Sequence, residues 1–158
     1  MDPFAELELP AALELDKGEL ERRFVALSRD SHPDRHRDAG ADEQIAVLER
    51  SARLNDAYRV LRDRWRRAEA LLELREPGVM DATKKLDPMF LGEAMELAEE
   101  VAEAGADAAT ALRARLGAEI EADWTAIGEA AATGDWRAAA TRLHQSRYRR
   151  KALADLPD

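Results

Sequence analysis

Apolar residues along this chain recur at intervals of three and four, and no run alternates with the period of two that a half-buried strand requires. Leu20, Phe24 and Leu27 stand at i, i+4 and i+7, one stripe of a helix of about four turns within "LDKGELERRFVALSRD". Asp16 opens that stretch and Glu19 follows three residues later, an aspartate form of the capping box. Pro33 must end the helix, since its ring blocks helical continuation and drives Ser31 and His32 toward extended conformations. "RDAGAD" reads as a polar loop whose Asp42 caps the next helix. That second helix is long, from about Asp42 to Arg62. Val47, Ser51, Leu54, Tyr58 and Leu61 alternate spacings of four and three, and Ile45, Leu48 and Ala52 widen the same face. A shorter helical segment, Trp65 to Leu74, is expected to pack Ala68 and Leu72 against this antiparallel pair.

"REPGVMDATKKLDP" breaks the pattern. Pro77-Gly78 is turn chemistry, and helical periodicity returns only at Asp87-Pro88, a good N-cap and first-turn pair. The segment 76–86 therefore reads as a linker. Three more helices follow. The first runs from Pro88 to Ala104 and stops at Gly105. The second, about Asp107 to Thr133, carries Leu112, Leu116, Ile120, Trp124 and Ile127 down one side. The third starts near Asp135 and carries Trp136, Ala139 and Leu143, with Gly134 marking the break before it. The predicted fold is all-α: an N-terminal helical hairpin unit over 1–75, the linker, and a C-terminal three-helix bundle over 87–158.

Composition narrows the function classes. The chain has 158 residues, 46% of them hydrophobic but many of these alanine, and only 5% aromatic. That is enough for one modest core or two thin ones. A net charge of −9 argues against wholesale nucleic-acid binding. The absence of cysteine excludes disulfides, thiolate zinc sites, cysteine-ligated clusters and cysteine nucleophiles. "MDPFAELELP" has neither the basic nor the apolar region of a signal peptide, and no apolar run approaches the roughly 20 residues that span a bilayer. The reading is a soluble, cytoplasmic protein with no membrane partner. The basic cluster "RYRRK" reads as a solvated helix end that suits the helix dipole.

One short stretch carries candidate chemistry. "SRDSHPDRH" holds two of the three histidines, with Pro33 wedged between His32 and Asp34. Catalysis would need a nucleophile or an orienting carboxylate converging on the histidine in a pocket, and nothing in the sequence supplies one. His32, His36 and His144 have no usual metal-ligand spacing. A plain polar turn is the ordinary reading of such a loop. Here, however, it sits at a hairpin tip after a helix bearing Arg22, Arg23 and Arg29, and is followed by Arg35 and Arg37.

An HPD loop between a basic, capped helix and a longer amphipathic helix resembles the J-domain, the module that stimulates ATP hydrolysis by DnaK-type chaperones. "DPFAELELP" likewise resembles the entry of a J-domain, where an aromatic and an apolar LxLP stretch form a first short helix. The resemblance implies that His32, Pro33 and Asp34, with Arg22, Arg23, Arg29 and Arg35, bind the chaperone. The Gly/Phe-rich stretch and CxxCxGxG zinc repeats of the DnaJ type are not present. Instead "RSARLNDAYRVLRDRWRRAEALLEL" is similar to the third J-domain helix and its extension in the HscB family, the co-chaperones of iron–sulfur cluster assembly. That resemblance implies a co-chaperone, not an enzyme, with no cofactor of its own. Its partners are implied to be an HscA-like ATPase and the iron–sulfur scaffold IscU. A J-protein with another client, or a helical adaptor with a coincidental HPD, are the alternatives.

A second constellation is "DPMFLGEAMELAEEVAEAGAD", with seven acids and no Lys or Arg between Asp87 and Asp107. Phe90, Ala94, Leu97 and Val101 form the stripe expected to face the bundle. Leu91 and Met95 lie about 100° round the helix, beside a file of Glu96, Glu99 and Glu103. From Arg137 to Lys151 the last helix carries six bases and no acid. The acidic face is therefore either solvated and complemented by that helix, or a docking face awaiting a basic partner. In the HscB family the client binds on this helix, and the resemblance implies client-binding roles for Leu91, Met95, Glu96, Glu99 and Glu103, joined by Tyr148 from the last helix. Gly92 departs from the family pattern, which often has a large apolar residue there.

Overall fold

The computed structural model describes residues 1–158, and its ordered elements are all helices: α1 (Pro3–Glu6), α2 (Lys17–Asp30), a single 3₁₀ turn (Pro33–His36), α3 (Ala41–Arg62), α4 (Arg64–Arg75), α5 (Val79–Ala82), α6 (Pro88–Glu103), α7 (Ala106–Ala132) and α8 (Trp136–Asp155). They divide into two compact units, Met1–Leu74 and Arg75–Asp158. No helix is long and apolar enough to cross a membrane.

In the first unit, α1 forms because the Asp2 carboxylate accepts from the Phe4 and Ala5 amides, at 2.9 and 3.1 Å, and Pro3 presets the first turn. The short helix buries Phe4 and Leu7. The chain then leaves the helix and lays Leu9, Leu13 and Leu15 over the core of Leu20, Leu54, Ala57, Leu61 and Leu71. Asp16 caps α2 through the Glu19 amide at 3.0 Å. Glu19 itself turns outward to Arg22 and Arg23, so only half of the capping box is built.

Between the two long helices Phe24 stacks on Tyr58, centroids 4.1 Å apart, and the Tyr58 hydroxyl donates to Glu21 at 2.5 Å. That hydrogen bond raises the phenol's pKa above its ordinary value. Arg67 of α4 is buried. It donates Nε to the Leu13 carbonyl and Nη1 to the Leu61 carbonyl, both at 2.6 Å, and so ties the irregular segment to the end of α3. Burial lowers its pKa from the ordinary arginine value.

Two sequence expectations change here. α3 begins one residue early, behind Gly40, with no side-chain cap. Asp42 lies in its first turn, where its charge suits the helix dipole. Ile45, Leu48 and Ala52 are exposed, whereas Val47, Leu54, Ala57 and Leu61 are buried. Nine residues separate Ile45 from Leu54, which places them on opposite sides of the helix at about 100° per residue.

In the second unit, α7 and α8 make a helical hairpin. α7 ends in a Schellman turn: the Asp135 amide reaches the Ala130 carbonyl at 2.9 Å and the Gly134 amide reaches Ala131 at 3.1 Å. The residue at the turn needs φ of +75°, which glycine adopts without a Cβ penalty. Leu112, Leu116, Ile120 and Ile127 of α7 are buried with Ala139, Ala140, Leu143 and Ala152 of α8.

α6 is the least buried of the three. Val101 alone is fully covered, with Phe90, Leu91, Ala94 and Leu97 half-buried. The segment 76–86, expected to be a linker, is not a bare tether. It folds into α5 and buries Val79, Met80 and Leu86 within the second unit. The buried His144 fixes it, with Nε2–H donating to the Met80 carbonyl at 2.7 Å.

Candidate functional site

The loop after α2 is shaped by its own side chains. His32 is extended, φ −71° and ψ 132°, as the residue before a proline must be. Its Nδ1 accepts from the Asp34 amide at 3.1 Å and so caps the 3₁₀ turn. An imidazole that accepts at Nδ1 carries its proton on Nε2. The tip therefore presents an N–H donor and, two residues on, the Asp34 carboxylate. Both side chains are more than half exposed. Arg37 holds Asp34 from the far side at 3.2 Å, and the His36 ring lies 3.1 Å from the Asp30 carbonyl. Gln44 donates to the Arg37 and Ala39 carbonyls, at 3.0 and 3.1 Å, and fastens the loop to the first turn of α3. The result is a stiff, solvent-facing polar tip with no enclosed reaction space.

The arginines of α2 fall into two groups. Arg22 and Arg23 both hold the Glu19 carboxylate, at 2.8 and 3.0 Å, and Arg23 also lies 3.5 Å from Glu8. Arg22's hydrogen bond first, then Arg23's, keeps Glu19 below the ordinary glutamate range. Arg29, two turns beyond Arg22 on the same side of α2, is exposed and makes no ion pair, and Val25 between them is exposed as well. Arg35 lies 3.9 Å from Asp30. The seven residues assigned to chaperone binding thus occupy one helix and its loop. Of the four arginines in the set, Arg22, Arg23 and Arg35 each lie within 4 Å of a carboxylate, and Arg29 does not.

In the second unit, Met95 is 67% exposed and Tyr148 44% exposed, while Leu91 is half-buried. Glu96, Glu99 and Glu103 are exposed, and with Glu93 they make no ion pair within the protein. The bases of α8 are engaged elsewhere. Arg137 takes Glu76, Lys151 takes Asp155, and Arg147 donates to His144. Arg142 and Arg149 turn inward to Asp123. Of the α6 acids only Glu100 is claimed, by a two-pronged contact from Arg115 of α7. The acidic face is left without internal complement, beside the two apolar side chains.

One end of this face is fixed by a residue that no motif marks. Asp123 is fully buried and accepts from Arg142 at 2.5 Å and from Arg149 at 2.5 and 2.6 Å. The Arg149 guanidinium lies 5.5 Å from the centre of the Phe90 ring, which meets Tyr148 edge-on at 5.7 Å. A buried acid on α7 therefore seats the aromatic pair that joins α6 to α8. Its signal was present in the sequence: an aspartate at i+3 from Ile120 and i−4 from Ile127, inside an apolar stripe, facing a helix rich in arginine.

Gly92 sits on the outer side of α6, and a Cβ built there meets nothing within 4 Å. No three His, Asp or Glu side chains are placed together to hold a metal ion.

Comparison with known proteins bears on both units. Residues 86–156 match the family described as "HSCB C-terminal oligomerisation domain". A Bordetella parapertussis protein named "Co-chaperone protein HscB homolog" is 34% identical over 161 aligned positions, spanning 98% of this chain and 94% of that protein. A Vibrio cholerae protein of the same name is 40% identical over 102 positions, and that match spans 64% of this chain and 60% of the relative's length. Among solved structures, "Chaperone HscB from Vibrio cholerae" superposes with a TM-score of 0.82 at 33% identity, covering 98% of this chain and 94% of that one. The human co-chaperone HscB superposes with a TM-score of 0.83 at 26% identity, covering 96% and 78%.

Proposed function

This chain belongs to the HscB family of co-chaperones, and from that premise we propose that it stimulates ATP hydrolysis by a DnaK-type chaperone of the HscA kind and carries the iron–sulfur scaffold IscU to it. The observation that carries the reading is the loop tip. His32 spends Nδ1 on the Asp34 amide and leaves Nε2–H exposed, and the Asp34 carboxylate, although Arg37 lies 3.2 Å from it, is more than half exposed as well. A donor and an acceptor held at fixed spacing by Pro33 suit a polar site on another protein. Removing either leaves its counterpart there unpaired.

The arginines of α2 act before contact, by steering an acidic surface of the chaperone into register. On the second unit, Leu91, Met95 and Tyr148 supply the apolar centre for the scaffold, and Glu96, Glu99 and Glu103 its charged rim. The lack of internal partners for these glutamates favours docking over a complemented surface. The bond that breaks is in the chaperone's ATP, so this chain supplies contacts and no reacting group.

Steady-state ATP turnover by the chaperone, measured with and without this chain and with IscU, tests the proposal. The chain is expected to raise turnover, to raise it further with IscU present, and to lose both effects as His32→Gln. If His32→Gln stimulates as well as the unaltered protein, the chaperone reading fails. If Met95→Ala and Tyr148→Ala leave IscU binding intact, this face is not where IscU docks, and if the unaltered chain does not bind IscU, the client is a different protein.

A further inference from the structure

We infer that a basic cavity beside Tyr148 takes a carboxylate of the client and so fixes which way round the client sits, an inference that rests on the client reading above. The cavity measures about 420 Å³ and is lined by Lys84, Leu86, His144, Arg147, Tyr148 and Lys151. Four of these form one stripe of α8, at i, i+3, i+4 and i+7 from His144. Lys84 and Leu86 come from the segment that leads from α5 into α6. The chain carries 33 acids against 24 lysines and arginines, yet no carboxylate lines this cavity. Its chemistry therefore asks for an anion.

The walls are set before anything binds. The buried His144 donates Nε2–H to the Met80 carbonyl at 2.7 Å and accepts at Nδ1 from Arg147 at 3.2 Å, which anchors the arginine on the cavity wall. Lys84 and Lys151 touch Asp81 and Asp155, each at 2.7 Å, and all four side chains are more than half exposed. Such exposed pairs hold weakly, and an ammonium has three N–H donors, so each lysine can reach a second acceptor. Leu86 is buried and the Tyr148 ring stands beside it, so an anion here is partly shielded from water and feels each cation more strongly.

The second observation is what lies next door. Tyr148 also lines a cleft with Phe90, Glu93, Glu96, Glu100 and Glu119, and it is the only residue common to the two. In that cleft Arg115 is held by Glu100, and Arg142 and Arg149 by Asp123. Glu93 and Glu96 remain without an ion pair. Tyr148 thus joins a cleft with surplus negative charge to a cavity with surplus positive charge. A protein laid across it meets complementary charge only with a base toward α6 and an acid toward Lys84 and Lys151. Turned end for end, like charges meet, which is how a surface rejects a wrong orientation. A second copy of this chain fits less well. Each copy carries a net charge of −9, and the glutamates of α6 would face only these few cations, two of them already holding an aspartate.

The test is calorimetric titration of the full chain with IscU. Lys84→Gln is expected to weaken binding about threefold, the size of one partly exposed ion pair. Lys85→Gln, the same charge change on an exposed neighbour outside the cavity, is expected to leave affinity unchanged. Lys84→Gln/Lys151→Gln should weaken binding about tenfold and flatten its salt dependence, and the glutamate pair at these positions should weaken it more. The thermal unfolding midpoint stays put, since both lysines are on the surface. Equal effects of Lys84→Gln and Lys85→Gln overturn the inference, because net charge alone is then responsible. If Met95→Ala weakens IscU binding while Lys84→Gln/Lys151→Gln does not, the client reading stands and this site alone is lost. Self-association in sedimentation that the double variant abolishes, with IscU binding unchanged, makes the cavity a contact between copies. Inorganic phosphate that shifts the lysine ammonium NMR signals, again with IscU binding unchanged, makes it a small-anion site, and either result refutes the assignment. If the unaltered chain does not bind IscU, the client reading falls and this site with it.

Discussion

Glu19 does two things with one carboxylate. It bridges Arg22 and Arg23 on the surface of α2 and takes back part of the positive charge those residues would offer to an acidic partner. Replacing it by glutamine keeps the first turn of the helix and the Asp16 cap, and removes one negative charge from the strip. Glu19→Gln is expected to speed association with the chaperone about two- to threefold at low ionic strength, with the difference vanishing in high salt. Stopped-flow binding over a salt series checks this, and an equal or slower rate at low salt refutes it. The pairing also sets the titration of Glu19. Its folded-state pKa is depressed, so the stability it contributes is present above the unfolded value and fades as pH falls through the lower folded one. A carboxyl-carbon NMR titration should show Glu19 below the ordinary glutamate range, and Arg22→Ala should move it upward.

At the scale of the element, α6 differs from its neighbours because its best packing side is only half covered. Its outer side carries glutamates that repel one another at spacings of three and four. Only Glu100, held by Arg115 of α7, is neutralised, and Glu93, Glu96, Glu99 and Glu103 have no cation beside them. A helix held in this way gains more from a partner than a fully buried one does. Gly92 weakens it further, because glycine costs about 1 kcal/mol relative to alanine inside a helix. Open space surrounds the position. Gly92→Leu is therefore expected to add a few tenths of a kcal/mol of stability and to extend the apolar centre formed with Leu91 and Met95. Calorimetric titration with IscU should show tighter binding, and weaker binding would mean that the partner needs the gap. The helix and its outward residues were legible in the sequence, because periodicity assigns faces on any helix with one clear core side. On α3 the same logic put Ile45, Leu48 and Ala52 on the wrong side. That helix carries apolar residues on two faces, and only the position of α1 and α2 determines which face is inside.

For the whole molecule, two units carry separate cores, and the second depends on a buried charge. Asp123 offsets two arginines, and its loss leaves the largely buried Arg149 without its anionic partner, while Arg142 is exposed enough to turn to solvent. Asp123→Asn keeps the shape and removes the charge. It is expected to destabilise Arg75–Asp158 by about 3 kcal/mol and to loosen the Phe90–Tyr148 pair. Amide exchange should lose protection within that unit and keep it over Met1–Leu74. A uniform loss over both units would show that they unfold as one.

The sequence by itself determined the helices, their approximate ends, the hairpin tip and the identity of the residues on the acidic face. These follow from local rules: spacing, proline and glycine stereochemistry, and capping. Only the tertiary structure decided which face of α3 is buried, that residues 76–86 pack as α5, that Arg67 and His144 lie inside, and which arginines Asp123 meets. Those outcomes depend on which groups meet across long stretches of chain. A carbonyl at Leu13 or a guanidinium at Arg149 has no local signature of the partner it will find.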